Sequence, residues 1–292
     1  MKKLLVILLS LLSLTSCSKE SEIDIKGFID EESVKIIEDL KTLASDTFKR
    51  KNFLDFKYEV KPKKKSDIKE DLIKNVEAAA KKDKKAQWVY DNFYNLDDVD
   101  AYLTGNDPDT IEFIYNKNHK FTDFNFYKGE SVKLKRKTPY YLQWDNRWAY
   151  DNLYPTNIGI SGCGPTSLSM IISRLTNNLI YPNEMAQKAS KFMNDGGMDW
   201  AFIDHIAKEY NLKVTDINLD KDKMTKSLED GPLLISVGRG YFTLYGHILV
   251  IDSYKDGKFI INDPNSVKNS IIGWEYDDIS DQILKIWKFS KQ

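Results

Sequence analysis

Ser161-Gly162-Cys163-Gly164-Pro165-Thr166-Ser167-Leu168 is the stretch on which the reading of this chain turns. Proline is tolerated in the first turn of a helix, and Leu168, Ile171, Ile172 and Leu175 follow at helical spacing. The spacing predicts a helix over residues 164–176 with Cys163 at its start. Unpaired N–H groups and the helix dipole favour an anion there, which moves a thiol toward the reactive thiolate. The flanking glycines are expected to leave room for a substrate backbone. A buried structural cysteine is the competing reading. A position between two glycines and before a proline packs poorly, which favours catalysis.

Outward from this stretch, helical patterns cover residues 183–193, 200–210 and 223–229. Strand patterns cover 213–217, 233–237, 247–254, 258–262 and 283–289. Helices followed by mostly antiparallel strands in a meander predict an α+β fold rather than a doubly wound sheet.

A thiolate nucleophile needs a base, and the base needs an orienter. The chain has three histidines. His119 lies in a polar stretch and His205 in an amphipathic helical pattern, so both read as surface. His247 follows Gly246 and opens the apolar run Ile248-Leu249-Val250-Ile251. Strands 248–254 and 258–262 are joined by Lys255-Asp256-Gly257, a tight-turn sequence. Pairing across it places residues whose numbers sum to about 512 opposite one another. His247 then lies near position 265, and Asp263 falls within a residue or two. An aspartate there can accept the imidazole N–H and fix its tautomer. Asp263 as a simple turn-former beside Pro264 is the plainer reading; its coincidence with His247 favours function. Asn262 and Asn265 are substitutes. A donor for the developing oxyanion is also required, and spacing alone does not choose among Gln143, Asn146 and Asn157.

The 292 residues are 41% hydrophobic and 30% charged, with net charge −1. That balance argues against nucleic acid as a partner. Two cysteines and three histidines argue against a structural zinc site and a disulfide scaffold. No metal or other cofactor is expected.

Lys2 and Lys3 followed by an apolar run to Leu14 have the form of a signal peptide, and the run is too short for an ordinary spanning helix. Leu14-Thr15-Ser16-Cys17 resembles the bacterial lipobox. The resemblance implies that Cys17 is diacylated and anchors the mature protein to a membrane on its extracytoplasmic face. Residues 1–16 are then the signal peptide. Residues 17–65 read as a polar leader with a helical patch over 31–43 and a solvated basic linker at Lys61-Pro62-Lys63-Lys64-Lys65. Residues 66–137 read as a helical region. It carries a stripe of Leu72, Val76, Ala79 and Ala80, and core aromatics Trp88, Tyr90, Phe93 and Tyr94. A further helix is expected after Asp107, as its cap, with Pro108 at the first position. Residues 138–292 form the last domain.

Leu142-Gln143-Trp144-Asp145-x-Arg147-Trp148, Gly162-Cys163-Gly164-Pro165-Thr166-Ser167, Gly246-His247 and Asn262-Asp263-Pro264-Asn265 occur in that order. Together they resemble the papain-like cysteine peptidase domain related to bacteriocin leader-processing (double-glycine) peptidases, and more closely its stand-alone secreted bacterial branch. The similarity spans about residues 138–290. It implies Cys163 as nucleophile, His247 as base, Asp263 as orienter and Gln143 as oxyanion donor. Two departures stand out: Gln143 precedes the cysteine by 20 residues, and Arg239 occupies a position expected to hold a smaller residue or proline. No transporter segments or Walker motif accompany the domain, so leader processing coupled to export does not carry over. The expected activity is a lipid-anchored cysteine peptidase acting on a peptide or protein. A cell-wall amidase or endopeptidase and a silent binding lipoprotein are the alternatives. Tyr241, Phe242, Tyr245, Trp144 and Trp148 are candidates for lining a cleft.

Overall fold

The computed structural model describes residues 62–291, which lie within one compact unit beginning at Arg50. The signal peptide, Cys17 and the helical patch over 31–43 lie outside the described residues.

Among the described residues four helices come first: α1 (Lys69–Ala80), α2 (Lys84–Asn92), α3 (Asp98–Asn106) and α4 (Ile111–His119). Asp83 and Asp97 cap α2 and α3, accepting from the N–H groups of Ala86 and Asp100 at 2.9 and 2.8 Å. Leu72, Val76, Val89, Phe93, Ala101, Phe113 and Ile114 close a small core. Tyr94, expected inside, is exposed, because the chain tightens into a 3₁₀ turn over Phe93–Asn95 and rotates it outward. Asp107 does not cap the helix after it. A 3₁₀ turn, Pro108–Thr110, intervenes, and the Thr110 N–H bonds the Asp107 carbonyl at 2.9 Å. The Asp107 carboxylate goes elsewhere, to Lys65 and Ser266.

Arg147 gathers the extended segment that follows. It donates through Nε and Nη2 to Asp145 at 2.9 and 2.7 Å, and through Nη1 to the carbonyls of Tyr127 and Gly129 at 2.9 Å each. Both charged side chains are buried and hydrogen-bonded, the condition under which a buried ion pair is tolerated.

Helices α5 (Cys163–Thr176), α6 (Pro182–Ala189) and α7 (Ala201–Glu209) then pack on one face of a six-stranded antiparallel sheet. Its strands are β1 (Leu212–Asp216), β2 (Leu233–Val237), β3 (His247–Lys255), β4 (Lys258–Asn262), β5 (Gly273–Trp274) and β6 (Ile283–Lys291). Helix α8 (Lys221–Leu228) and Phe242, Trp274 and Ile279 cover the other face. Because both faces are covered, β2 is buried at every position and shows no polar alternation. The α+β class holds. The strand order does not follow a simple meander: it is β1-β6-β2-β3-β4-β5, with β6 paired to both β1 and β2.

The β3–β4 hairpin differs from expectation in two ways that cancel. Its turn is the two residues Asp256-Gly257, both with positive φ (53° and 79°), as a type I′ turn requires. Near the turn Tyr254 therefore faces Phe259, one step off the expected register. A bulge between Ile251 and Ser253 then restores it, so Val250 faces Asn262.

Candidate active site

Helix α5 begins at Cys163 and no side chain caps it; Pro165 has no N–H and that of Thr166 bonds the Gly162 carbonyl, which leaves the N–H groups of Cys163 and Gly164 as the ones that can face an anion. The helix lies across β3, where Ser167 Oγ donates to the Ile248 carbonyl at 2.9 Å. That contact sets the helix start beside the start of β3, and so Cys163 beside His247. Gly162 has a different reason from the one expected. A Cβ on Gly162 would lie 2.3 Å from the Ile158 carbonyl oxygen, and one on Gly164 would lie 2.8 Å from the Met198 sulfur. Close packing against backbone requires glycine at 162; at 164 the neighbour is the end of the flexible Met198 side chain, which can move aside.

His247 is buried and bonds Asp263 Oδ1 through Nε2 at 2.7 Å. The Cys163 thiol interacts with the same imidazole. Burial disfavours charge on all three groups, and the partners outweigh it. The Cys163 thiol is lowered despite burial, because His247 bonds it and its positive charge favours the thiolate. His247 is raised to about 10 despite burial, by the charge and hydrogen bond of Asp263 and by Cys163. Asp263 is lowered despite burial, chiefly by His247 and then by Asn269. These directions describe a thiolate–imidazolium pair backed by a carboxylate, an arrangement that can attack a carbonyl carbon and return a proton to a leaving group.

Asp263 is held from every side. Its Oδ1 accepts from the Asn265 N–H at 2.9 Å and its Oδ2 from Asn269 Nδ2 at 2.8 Å. Its N–H donates to Ser270 Oγ at 2.9 Å, and its carbonyl accepts from the Tyr140 hydroxyl at 2.8 Å. Ser266 caps the one-turn helix Val267–Ser270 that carries Asn269 and Ser270. Asn269, Ser266 and Ser270 are absent from the sequence reading. The signal available for them is Ser266 three residues ahead of Asn269, a capping pattern.

Gln143 sits beside this group. Its N–H bonds the Pro264 carbonyl at 2.7 Å, and Nε2 donates to the carbonyls of Gly159 and Ile160 at 2.9 and 3.2 Å, just ahead of Cys163. Both Nε2 hydrogens of Gln143 are thus engaged, and the alternatives have tasks of their own. Asn146 Oδ1 accepts from the Tyr150 hydroxyl, and Asn157 caps the short helix Ile158–Ser161. Asn262 Oδ1 takes the Arg136 guanidinium, and Asn265 contributes its backbone N–H to Asp263. His119 is half-buried and stacks on Tyr115 with ring centroids 3.9 Å apart; His205 is exposed. Trp148 and Phe242 are core residues rather than cleft lining, while Tyr245, two residues before His247, is exposed. Arg239 is spent on a bidentate pair with Asp67, at 3.0 and 2.9 Å. Among the described residues no group of three or more His, Cys, Asp or Glu side chains is arranged to hold a metal ion.

No curated protein matches the chain. Among solved structures it is similar to a double glycine motif protease from an AMS/PCAT transporter in complex with the leader peptide. That match has 18% identity and a TM-score of 0.35, covering 44% of this chain and 84% of that one. It is also similar to the peptidase domain of Streptococcus ComA, a bi-functional ABC transporter involved in a quorum sensing pathway (17% identity, TM-score 0.36, 45% and 93% covered). A third match is a C39-like peptidase from Bacillus anthracis (16% identity, TM-score 0.40, 53% and 95% covered). Over residues 135–292, more than half its length, the chain matches the model of the Peptidase_C39 like family, and it is a cysteine peptidase belonging to that family.

Proposed function

We propose that the protein is a membrane-anchored extracytoplasmic peptidase acting through Cys163, His247 and Asp263, with Gln143 as oxyanion donor. The observation that carries the reading is the buried His247–Asp263 hydrogen bond of 2.7 Å with the Cys163 thiol interacting with the same imidazole. The thiolate attacks the scissile carbonyl carbon, and its π electrons move to oxygen. The Cys163 backbone N–H stabilises that oxyanion, and Gln143 Nε2, whose two hydrogens rest on the Gly159 and Ile160 carbonyls, joins it by releasing one of them. As the intermediate collapses, the C–N bond breaks and the imidazolium gives its proton to the departing amine, leaving a thioester. Water then attacks the thioester while His247 takes its proton, and the thiolate and carboxylic product separate. Asp263 keeps the imidazole in one orientation and stabilises its charged form.

The test is the pH dependence of iodoacetamide alkylation at Cys163, the single cysteine among the described residues. A lowered thiol beside a raised imidazole predicts rapid labelling at mildly acidic pH, before ordinary thiols react. In His247→Ala the rate should instead climb around pH ~8.5, as for an unassisted cysteine. Wild-type labelling that already follows the ordinary thiol curve would overturn the reading. Cleavage should follow the same limits, rising as the thiol ionises and falling as His247 loses its proton toward about 10.

The anchor is proposed from Leu14-Thr15-Ser16-Cys17. Cells expressing the full chain and fed a palmitate analogue should label the wild type and not Cys17→Ser. Equal labelling of both would remove the anchor from the proposal.

A further inference from the structure

The helical region meets the peptidase domain at the loop that holds Asp263. Asp107 Oδ1 accepts from Ser266 Oγ at 2.9 Å, and both side chains are buried. Asp107 Oδ2 takes the Lys65 ammonium, whose side chain is 8% exposed. Lys65, expected in a solvated linker, is therefore a buried charge, while Lys63 and Lys64 beside it are exposed.

A hydroxyl has one hydrogen and two lone pairs. Ser266 gives its hydrogen to Asp107, so its lone pairs face inward, where Oγ accepts from the Asn269 N–H at 3.3 Å. The Ser266 carbonyl accepts from Ser270 Oγ at 2.8 Å, and its N–H donates to the Asp263 carbonyl at 3.3 Å. Ser266 is thus the hub of a loop whose outer members, Asn269 and Ser270, bond Asp263 directly. Lys65 also donates its backbone N–H to the Gly240 carbonyl at 2.8 Å, on the loop that leads into His247. One residue ahead of the helices thereby ties down the approaches to both His247 and Asp263. A buried ammonium without Asp107 would be strongly unfavourable, so the pair is set to act together.

We propose that Asp107 and Lys65, both outside the peptidase domain, are positioning residues for the reaction: through Ser266 they fix the loop that aims Asp263 at His247. The helical region is then part of the working enzyme and not a spacer. This rests on the assignment of Cys163, His247 and Asp263 as the reacting groups.

The charged and titratable groups around Asp263 are His247, Lys65, Asp107 and Tyr140, with Arg136 on the adjoining Asn262. Asp109, raised to about 6 by burial and then by the Asp107 charge, titrates nearby, with Lys268 opposing. Asp109→Asn is therefore the control, expected to leave the alkylation profile of Cys163 unchanged.

The experiment compares full-length wild type, Asp107→Ala, Asp107→Asn, Ser266→Ala and Ser266→Thr, each checked for folding by circular dichroism. Alkylation of Cys163 is followed against pH, and kcat and KM are measured on a cleaved peptide. Ser266→Ala and Asp107→Ala should lower kcat by about 10–100-fold, the scale of lost outer-shell support, with KM little changed. Their alkylation curves should shift toward that of an ordinary thiol. Ser266→Thr keeps the hydroxyl and should recover most of the profile; Asp107→Asn keeps an acceptor for Ser266 but leaves the buried Lys65 ammonium without its counter-charge, so it should behave like Asp107→Ala. If Asp107→Ala does not fold, Ser266→Ala against Ser266→Thr decides. Wild-type curves for the folded alanine variants, beside a wild type that labels at mildly acidic pH, would overturn this inference alone. A wild type with ordinary thiol behaviour would overturn the catalytic reading beneath it.

Discussion

Cys163→Ala is expected to lower kcat for peptide cleavage by roughly 10⁶-fold, the scale seen when a triad nucleophile is removed. The remaining rate would come from binding and the oxyanion donors alone. The fold should survive. Cys163 is half-buried at a helix start, and alanine keeps the helical backbone and most of the volume. The cost in stability should be about 1 kcal/mol, typical of a mild substitution. Activity on a peptide library read by mass spectrometry, beside a denaturant melt, separates the two effects. Cys163→Ser should be nearly as inactive, because a hydroxyl lies too far above neutral pH to ionise against His247. Cleavage retained by either variant would place the chemistry on another residue.

Asp263→Asn is the second large effect, expected to reduce kcat by about 10³–10⁴-fold, near the loss found when a triad aspartate is made an amide. The reason lies in the bonds around the carboxylate. Oδ1 accepts from His247 and the Asn265 N–H, and Oδ2 accepts from Asn269. Every neighbour is a donor, so an NH₂ group at either position meets another N–H. The imidazolium also loses the charge that chiefly raises it. The falling limb of the pH profile should therefore begin well below the wild-type value near 10. An unchanged profile would mean that Asp263 serves only the turn it begins.

The site was legible where chemistry and local rules coincide. Cys163 stood out because proline and helical spacing announced a helix start, and His247 because it opens an apolar strand. Asp263 required a register, and the register came right through compensation. The turn was one residue tighter than expected, and the bulge at Asp252 added the residue back. A bulge has no sharp signature in a single sequence. Room for a substrate is the expectation for the glycines beside Cys163, and at Gly162 the Ile158 carbonyl supplies a different reason. Local rules make Asp107 a helix cap, whereas its partners lie 42 and 159 residues away. Contacts at that range follow from tertiary packing and leave no periodic trace.

The position of β6 bears on how the enzyme comes into being. Every residue of the site precedes Ile283 in the chain, yet β6 lies between β1 and β2. Until residues 283–291 have been synthesised, those two strands face each other across a missing partner, with open edges able to pair with a neighbouring molecule. The β2–β3–β4 hairpins can form earlier, but the sheet beneath them cannot close. Such long-range pairing also slows folding, since the loop must be ordered before its contacts repay it. Cys163 is therefore translated well before the strand that completes the sheet. Closure of the sheet under the site waits on that last strand, which pairs with both β1 and β2.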